Sequence, residues 1–359
     1  MASLSLTREQ EKATGGDRAV GIWLLSVCGM IFAMALIGAI TRLTGSGLSI
    51  MEWAPISGAL PPMSEAEWRR VFDLYRSIPQ YEQVNRGMSL EEFRTIFWWE
   101  WIHRQWGRLI GVAFLGGFLW LWLRGKLRAG LTPHIVALFA LGALQAFIGW
   151  YMVESGFGER TSVSQYRLAL HLGLALIIYA YALTLALSFL APKARTGADS
   201  GALRAGLWGF LGLVSLTILA GAFVAGLSAG LTYNTFPLMD GRVVPVGYGF
   251  QQPWIMNWFE NPAAVQFNHR LLGVLTVVAA FALWLYGRRL ELAATARRAL
   301  DWLALAALAQ VALGVATLLA VVPVWLATLH QGGAIVLLSL AIWALLRVPP
   351  HPSENEAKT

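Results

Sequence analysis

Eight apolar runs, each long enough to cross a lipid bilayer, constrain this 359-residue chain more than any other feature. A helix needs about 20 residues to span roughly 30 Å of hydrocarbon. We predict helices near residues 20–41, 103–123, 133–153, 167–190, 205–229, 268–287, 299–320 and 325–346. Only 13% of the residues are charged, whereas soluble domains carry about 25%. Because isolated strands cannot satisfy their backbones in lipid, we predict an all-α integral membrane protein.

Basic residues between the apolar runs predict the orientation of the chain. They lie in three short loops, on the same side as the N-terminal tail: Arg124, Lys126 and Arg128; Lys193, Arg195 and Arg204; Arg288, Arg289, Arg297 and Arg298. The positive-inside rule makes that side, and both termini, cytoplasmic, as expected in the inner membrane of a cell. Since the net charge of +7 is spread over these loops, it indicates lipid contact and no nucleic-acid partner.

Two connections, about 42–102 and 230–267, are much longer than the others and are expected on the outer side. The first has a helical pattern of charges between Glu65 and Asp73. Long loops are often functional lids, although a solvated amphipathic cap explains this pattern equally well. The only cysteine, Cys28, lies in the first apolar run, so neither an intrachain disulfide nor a thiolate metal site is expected.

The sequence contains an internal repeat of four predicted helices. The matched segments are His103-Arg104-Gln105-Trp106-Gly107 with His269-Arg270-Leu271-Leu272-Gly273, Leu170-His171-Leu172-Gly173 with Leu329-His330-Gln331-Gly332, Gln145 and Gly149 with Gln310 and Gly314, and Gly38-Ala39 with Gly221-Ala222. Four helices return the chain to its starting side, so the two copies have the same orientation. We predict two tandem four-helix bundles, residues 1–195 and 200–359, related by a pseudo-twofold axis along the membrane normal.

Each predicted bundle carries two histidines, His103 and His171 in the first and His269 and His330 in the second. Ionisable side chains inside membrane helices are costly and commonly functional. Pairs of facing histidines in a bundle suit axial ligation of haem iron, whereas zinc usually needs further ligands. Nearby glycines would leave room for a flat macrocycle, although close helix packing explains each one equally well. These are Gly107, Gly111, Gly173, Gly273, Gly332 and Gly333.

All four histidines occur early in helices that run from the outer to the inner side, which predicts two haem sites at similar depth near the outer face. Haems side by side do not bridge the bilayer, so the arrangement counts against an electron relay across the membrane. It favours two haems with different roles.

One position distinguishes the two predicted sites. Glu100 precedes His103 by three residues, whereas Gln266 precedes His269 by three. Positions i and i+3 share a helix face, and a carboxylate beside a macrocycle can transfer protons or stabilise developing positive charge. We therefore predict a reactive first site and a supporting second site. The alternative is a carboxylate that only pairs with Arg104 or Arg94.

Arginines accompany both predicted sites. Arg104 and Arg270 each follow a histidine and could pair with haem propionates, or they could anchor the helices at the interface. Arg42 and Arg108 are weaker candidates for the same contact.

The motifs Glu100-Trp-Ile-His103-Arg104, Gly107-Arg108-Leu109-Ile110-Gly111 and Asn268-His269-Arg270-Leu271-Leu272-Gly273, with the histidines His171 and His330, resemble the haem A synthase family. The resemblance covers about residues 20–346. It implies that the C8 methyl of haem O is oxidised to a formyl group by successive hydroxylations with loss of water, giving haem A for cytochrome oxidase.

The resemblance also implies roles for the site residues. His103 and His171 would hold the substrate haem O with Glu100 at its reacting edge, and His269 and His330 would hold a haem b cofactor. Oxygen would come from O2 or water, and haem O synthase and an electron donor are implied as partners. The chain lacks the cysteine pair that some members carry in the first outer loop. The oligomeric state stays open, a homo-oligomer included.

Two other functions are compatible with parts of this pattern. A di-haem b cytochrome acting in electron transfer would share the four histidines but gives no reason for Glu100 to differ from Gln266. A transporter built from two repeats would bind no haem.

Overall fold

The computed structural model describes residues 2–54, 57–190 and 200–348, with side chains from residue 16 onward. Eight long helices dominate this part of the chain: α1 Ala2–Leu43, α2 Leu90–Leu123, α3 Thr132–Glu154, α4 Gln165–Leu190, α5 Gly201–Gly226, α6 Pro262–Arg288, α7 Ala294–Leu319 and α8 Val324–Arg347. Each contains a stretch long and apolar enough to cross a membrane. The prediction of an all-α protein with eight spanning helices is confirmed.

Helix α2 begins earlier than the sequence predicted. Its start is fixed by a capping box, in which Ser89 accepts from the backbone of Glu92 and the Glu92 side chain accepts from the backbone of Ser89. His103 therefore lies about 20 Å from the first residue of the helix, at 1.5 Å per residue. The expectation that His103 starts the helix, and that residues 42–102 form one connection, was wrong because the charged first turns of α2 extend beyond the apolar run.

The connection before α2 folds into a small cap with its own core. Helices Glu65–Tyr75 and Pro79–Gln83 lie within it, so the predicted helical pattern is confirmed. The buried core side chains are Leu48, Trp68, Tyr75, Ile78, Phe93, Ile96 and Phe97. Burial raises the pKa of Tyr75 above its ordinary value. The second long connection contains the short helix Asn257–Glu260, and Asn261 caps α6 by accepting from the backbones of Ala263 and Ala264.

Both long connections lie at one end of the helices, which we call the long-loop end; the opposite end is the short-loop end. At the short-loop end, Arg128 pairs with Asp17 and Arg288 pairs with Asp301 at 2.5 Å. The predicted loop residues Lys193 and Arg195, and the predicted boundary between the halves, lie outside the described residues.

Helices α5 to α8 form a closed ring, in which α5 packs on α6, α6 on α7, α7 on α8 and α8 on α5. In the first half, α1 packs on both α2 and α4, and α4 packs on α3. Helices α2 and α3 do not close the ring, because they make almost no backbone approach to each other. Helices α1 and α4 form the contact with the second half, through α8 and α5. The predicted pseudo-twofold relation of two separate bundles stays a prediction.

Candidate functional site

The histidines of the second half face each other. The ring centroids of His269 and His330 are 6.3 Å apart, and the ring planes are nearly perpendicular at 84°. The Nδ1–H of His269 donates to the backbone carbonyl of Thr217 at 3.1 Å. This hydrogen bond places the proton on Nδ1 and leaves the Nε2 lone pair free to bind a metal.

The histidines of the first half are brought into the same membrane region but are not in ring contact with each other. The Nε2 atom of His103 lies 3.2 Å from the position that a Cβ on Gly38 would take. The Cε1 atom of His171 lies 3.0 Å from the corresponding position on Gly149. Both rings therefore pack directly against helix backbone, where any larger residue would displace them.

The same packing recurs in the second half. A Cβ on Gly221 would lie 3.0 Å from Cε1 of His269, and one on Gly314 would lie 2.8 Å from Cε1 of His330. The sequence predicted room for a macrocycle beside glycines on the histidines' own helices, such as Gly107. Gly107 instead faces Met34. The glycines that cradle the rings belong to neighbouring helices, and the repeat had matched them without indicating this role.

Two glutamines hold the histidines of the later helix in each half. The Gln145 amide nitrogen donates to the His171 carbonyl at 3.0 Å and lies 3.2 Å from its Nδ1. The Gln310 amide nitrogen makes the same two contacts with His330, at 2.8 Å and 3.1 Å. The Oε1 atoms of both glutamines are buried without a hydrogen-bond partner among the described residues. Sequence reasoning matched these glutamines in the repeat but gave them no site role.

Glu100 is only 2% exposed and ties α2 to the connection that follows α1. One carboxylate oxygen accepts from Ser49 Oγ and from the Ile50 backbone, both at 2.8 Å. The other accepts from Arg104 Nε at 3.0 Å and from its Nη2 at 2.5 Å. The pairing with Arg104 that the sequence left open is present, whereas Arg94 pairs with Glu65.

Arg104 continues this connection to the loop. Its guanidinium donates to the carbonyl of Ile50 at 2.7 Å and to that of Glu52 at 2.9 Å. The Glu52 carboxylate in turn binds Arg70, and this hydrogen bond holds the pKa of Glu52 below its ordinary value. We call the set Glu100, Arg104, Ser49 and Ile50 the first loop clamp.

The second half contains a matching clamp of opposite polarity. Gln266, also 2% exposed, donates to the carbonyls of Ala229 and Tyr233 at 2.7 Å and 3.2 Å. Arg270 donates to Gln266 Oε1 at 3.0 Å, and to the carbonyls of Tyr233 and Thr235 at 2.8 Å each. Thus the carboxylate accepts from its loop, whereas the amide donates to its loop. The hydrogen-bonding sites of both arginines are largely used by loop carbonyls.

Arg42 and Arg108 have no counterpart in the second half, because the repeat places Ala225 and Val274 at their positions. Arg108 donates to the carbonyl of Ala54 at 2.9 Å. Arg42 lies one turn beyond Gly38 on the same face of α1, since residues four apart are neighbours on a helix. It is half-buried, and its side chain makes no hydrogen bond or ion pair with the described residues.

Comparison with known proteins gives one consistent result. The profile of the COX15-CtaA family, described as cytochrome oxidase assembly protein, matches residues 21–342. A protein of Rhodospirillum centenum named Heme A synthase is 52% identical over 99% of this chain and 96% of its own length. Proteins of the same name from Granulibacter bethesdensis and Paramagnetospirillum magneticum are 50% and 47% identical, over 91% and 93% of this chain and 86% and 94% of their own lengths. The chain therefore belongs to the COX15-CtaA family of cytochrome oxidase assembly proteins.

Proposed function

We propose that this protein is a haem A synthase that oxidises the C8 methyl of haem O to a formyl group, giving haem A for cytochrome oxidase. The observation that supports this most directly is the duplicated histidine site with unlike neighbours, Glu100 in one half and Gln266 in the other. Two equal haem sites would suffice for electron transfer alone. The names of the relatives point to the same activity.

The second site fits a haem b cofactor held by His269 and His330. The ring centroids of His269 and His330 are 6.3 Å apart, so both rings could bind one metal ion between them. The Thr217 carbonyl holds His269 in the tautomer that would bind metal through Nε2. Haem bound there would supply reversible one-electron chemistry.

The glutamines fit the same interpretation. The Gln310 amide nitrogen donates to the His330 carbonyl and lies against Nδ1 of the same ring, and Gln145 makes the same two contacts with His171. These contacts would fix the position of each ring beside its site.

We propose that His103 and His171 bind the iron of the substrate haem O, with Glu100 as the catalytic residue at the reacting edge. Glu100 lies on the helix face of His103, and four hydrogen bonds fix its orientation. This geometry supports stabilisation of positive charge that develops on the substrate, more than proton shuttling, because both carboxylate oxygens already accept protein donors. Arg104 and Arg270 are proposed to pair with haem propionates, because each lies next to a histidine of its site.

We further propose that the protein lies in the inner membrane, with both termini cytoplasmic and the haem sites toward the outer face. The basic residues of the short-loop end support this orientation. Oxygen is proposed to come from O2 or water, haem O from haem O synthase, and electrons from a separate donor.

Pigment extraction from the purified full-length protein tests the function. After co-expression with a haem O source, the protein should contain haem b together with haem O and haem A. If it holds only protohaem under these conditions, the synthase is excluded and a di-haem b electron-transfer cytochrome is favoured. A colourless protein would favour a transporter.

A further inference from the structure

The first half of the membrane region has a lateral cleft between α2 and α3 that the second half lacks. The matching helices α6 and α7 pack along each other, whereas α2 and α3 stay apart. The cleft opens on the side away from the second half, because α1 and α4 form the contact between the halves. A cleft at this place faces lipid.

Aromatic residues close the cleft toward the short-loop end. Phe139 of α3 contacts Phe114 of α2 with ring centroids 4.6 Å apart, and contacts Phe118 with centroids 6.1 Å apart. The repeat places buried alanines, Ala304 and Ala280, at the positions of Phe139 and Phe114. Small residues allow close helix packing in membranes, so the phenylalanines hold apart two helices that alanines let meet.

On the long-loop side of these phenylalanines, two glycines line the cleft and place no side chain in it. Gly111 of α2 precedes Phe114 by three residues and Gly142 of α3 follows Phe139 by three residues, and a Cβ on either glycine would meet nothing within 4 Å. The repeat places Val277 and the buried Ala307 at these positions. Gly111 lies about 12 Å along α2 from His103, and Gly142 lies about 10 Å along α3 from Gly149, which cradles His171. These two open positions therefore lie about two helical turns below the first histidine pair.

We infer that this cleft holds the isoprenoid tail of haem O and admits the substrate from the bilayer. This inference rests on the proposed function, because the tail distinguishes haem O from haem b. The occupant must be apolar, must continue from a group bound at His103 and His171, and must be absent from the second site. A farnesyl chain meets all three requirements, and burying its carbons contributes affinity that protohaem cannot gain.

Filling the cleft in the full-length protein tests this inference. We expect Gly111→Leu with Gly142→Leu to lower the ratio of bound haem O to bound protohaem by at least about tenfold, as overpacking does elsewhere. Purified protein would be incubated with isolated haem O or with protohaem, and the extracted pigments measured. Gly116→Leu is the matched control, since Gly116 is also open but points away from Gly111 on α2.

The spectrum of second-site haem b reports folding in each variant. If the leucine pair loses that spectrum, the milder pair Gly111→Ala with Gly142→Ala replaces it, and a smaller drop in the same ratio is expected. An unchanged ratio in a folded variant overturns the tail site. Failure of the wild-type protein to bind haem O at all would instead overturn the proposed function.

Discussion

The two halves of this molecule share a clamp but differ in closure. In each half an arginine that follows a histidine holds two loop carbonyls, Arg104 in the first and Arg270 in the second. Yet α5 to α8 close into a ring, whereas the first half is open between α2 and α3. The attachment of a loop to the histidine helix is therefore common to both halves, whereas the helix packing differs.

The difference in closure accompanies a difference in chemistry. In the closed half, the ring centroids of the two histidines are 6.3 Å apart, and the clamp holds an amide, Gln266. In the open half, the rings of His103 and His171 are not in contact, and the clamp holds a carboxylate, Glu100. A resident cofactor benefits from a preformed, closed site, because little ordering is needed to hold it. A substrate must enter and leave, so an open site suits it better.

The largest expected effect is the loss of one haem on removal of one histidine. His269→Ala should abolish the low-spin spectrum of haem b, since only one of the two proposed ligands, His330, would remain. His103→Ala should leave that spectrum intact. Optical and electron paramagnetic resonance spectra of the purified variants measure this directly.

The control for both variants is His134→Ala. His134 lies at the short-loop end of α3 and contacts the hydroxyl of Tyr181 at 2.6 Å. Its replacement should therefore leave the spectra of haem b and of bound haem O unchanged. A normal low-spin spectrum in His269→Ala would refute the proposed ligands of the second site.

The sequence predicts features that depend on lipid, but it does not predict contacts between residues that are distant in the chain. Apolar length predicted the spanning helices, because lipid thickness sets that length. The start of α2 at Leu90 was missed, since its charged turns lie beyond the apolar run. The use of Arg104 could not be predicted, because its partners are backbone carbonyls of a distant loop. Likewise, the cradle of His103 is Gly38 on another helix, and only packing reveals it.

Exchanging the clamp residues should separate catalysis from loop attachment. Glu100→Gln keeps the shape but removes the charge, and conversion of haem O should fall about 100-fold, as when one transition-state stabiliser is removed. Bound haem O should remain. Haem A formation and haem O content, measured on the same preparation, distinguish this outcome from a loss of structure.

The converse change, Gln266→Glu, should affect stability rather than conversion. The Glu carboxylate cannot donate to the carbonyls of Ala229 and Tyr233, which costs about 1–3 kcal/mol for groups left without a donor. Conversion per folded molecule should stay near that of the wild type. If both exchanges reduce conversion equally while the haems stay bound, the two halves do not have separate roles.

The smallest expected effect concerns Arg42, which the second half replaces with Ala225. Its half-buried guanidinium makes no hydrogen bond or ion pair with the described residues and lies one turn beyond Gly38, which cradles His103. It is therefore placed to donate to a propionate of the substrate. A charge-assisted hydrogen bond contributes about 1.5–3 kcal/mol, so Arg42→Gln should weaken haem O binding roughly tenfold or more. Spectroscopic titration with haem O measures the affinity, and Arg86→Gln, at an exposed arginine of the cap, is the matched control. Equal affinities of the wild type and Arg42→Gln would assign propionate recognition to Arg104 or Arg108 instead. Arg42 would then not be a functional difference between the open half and the closed half.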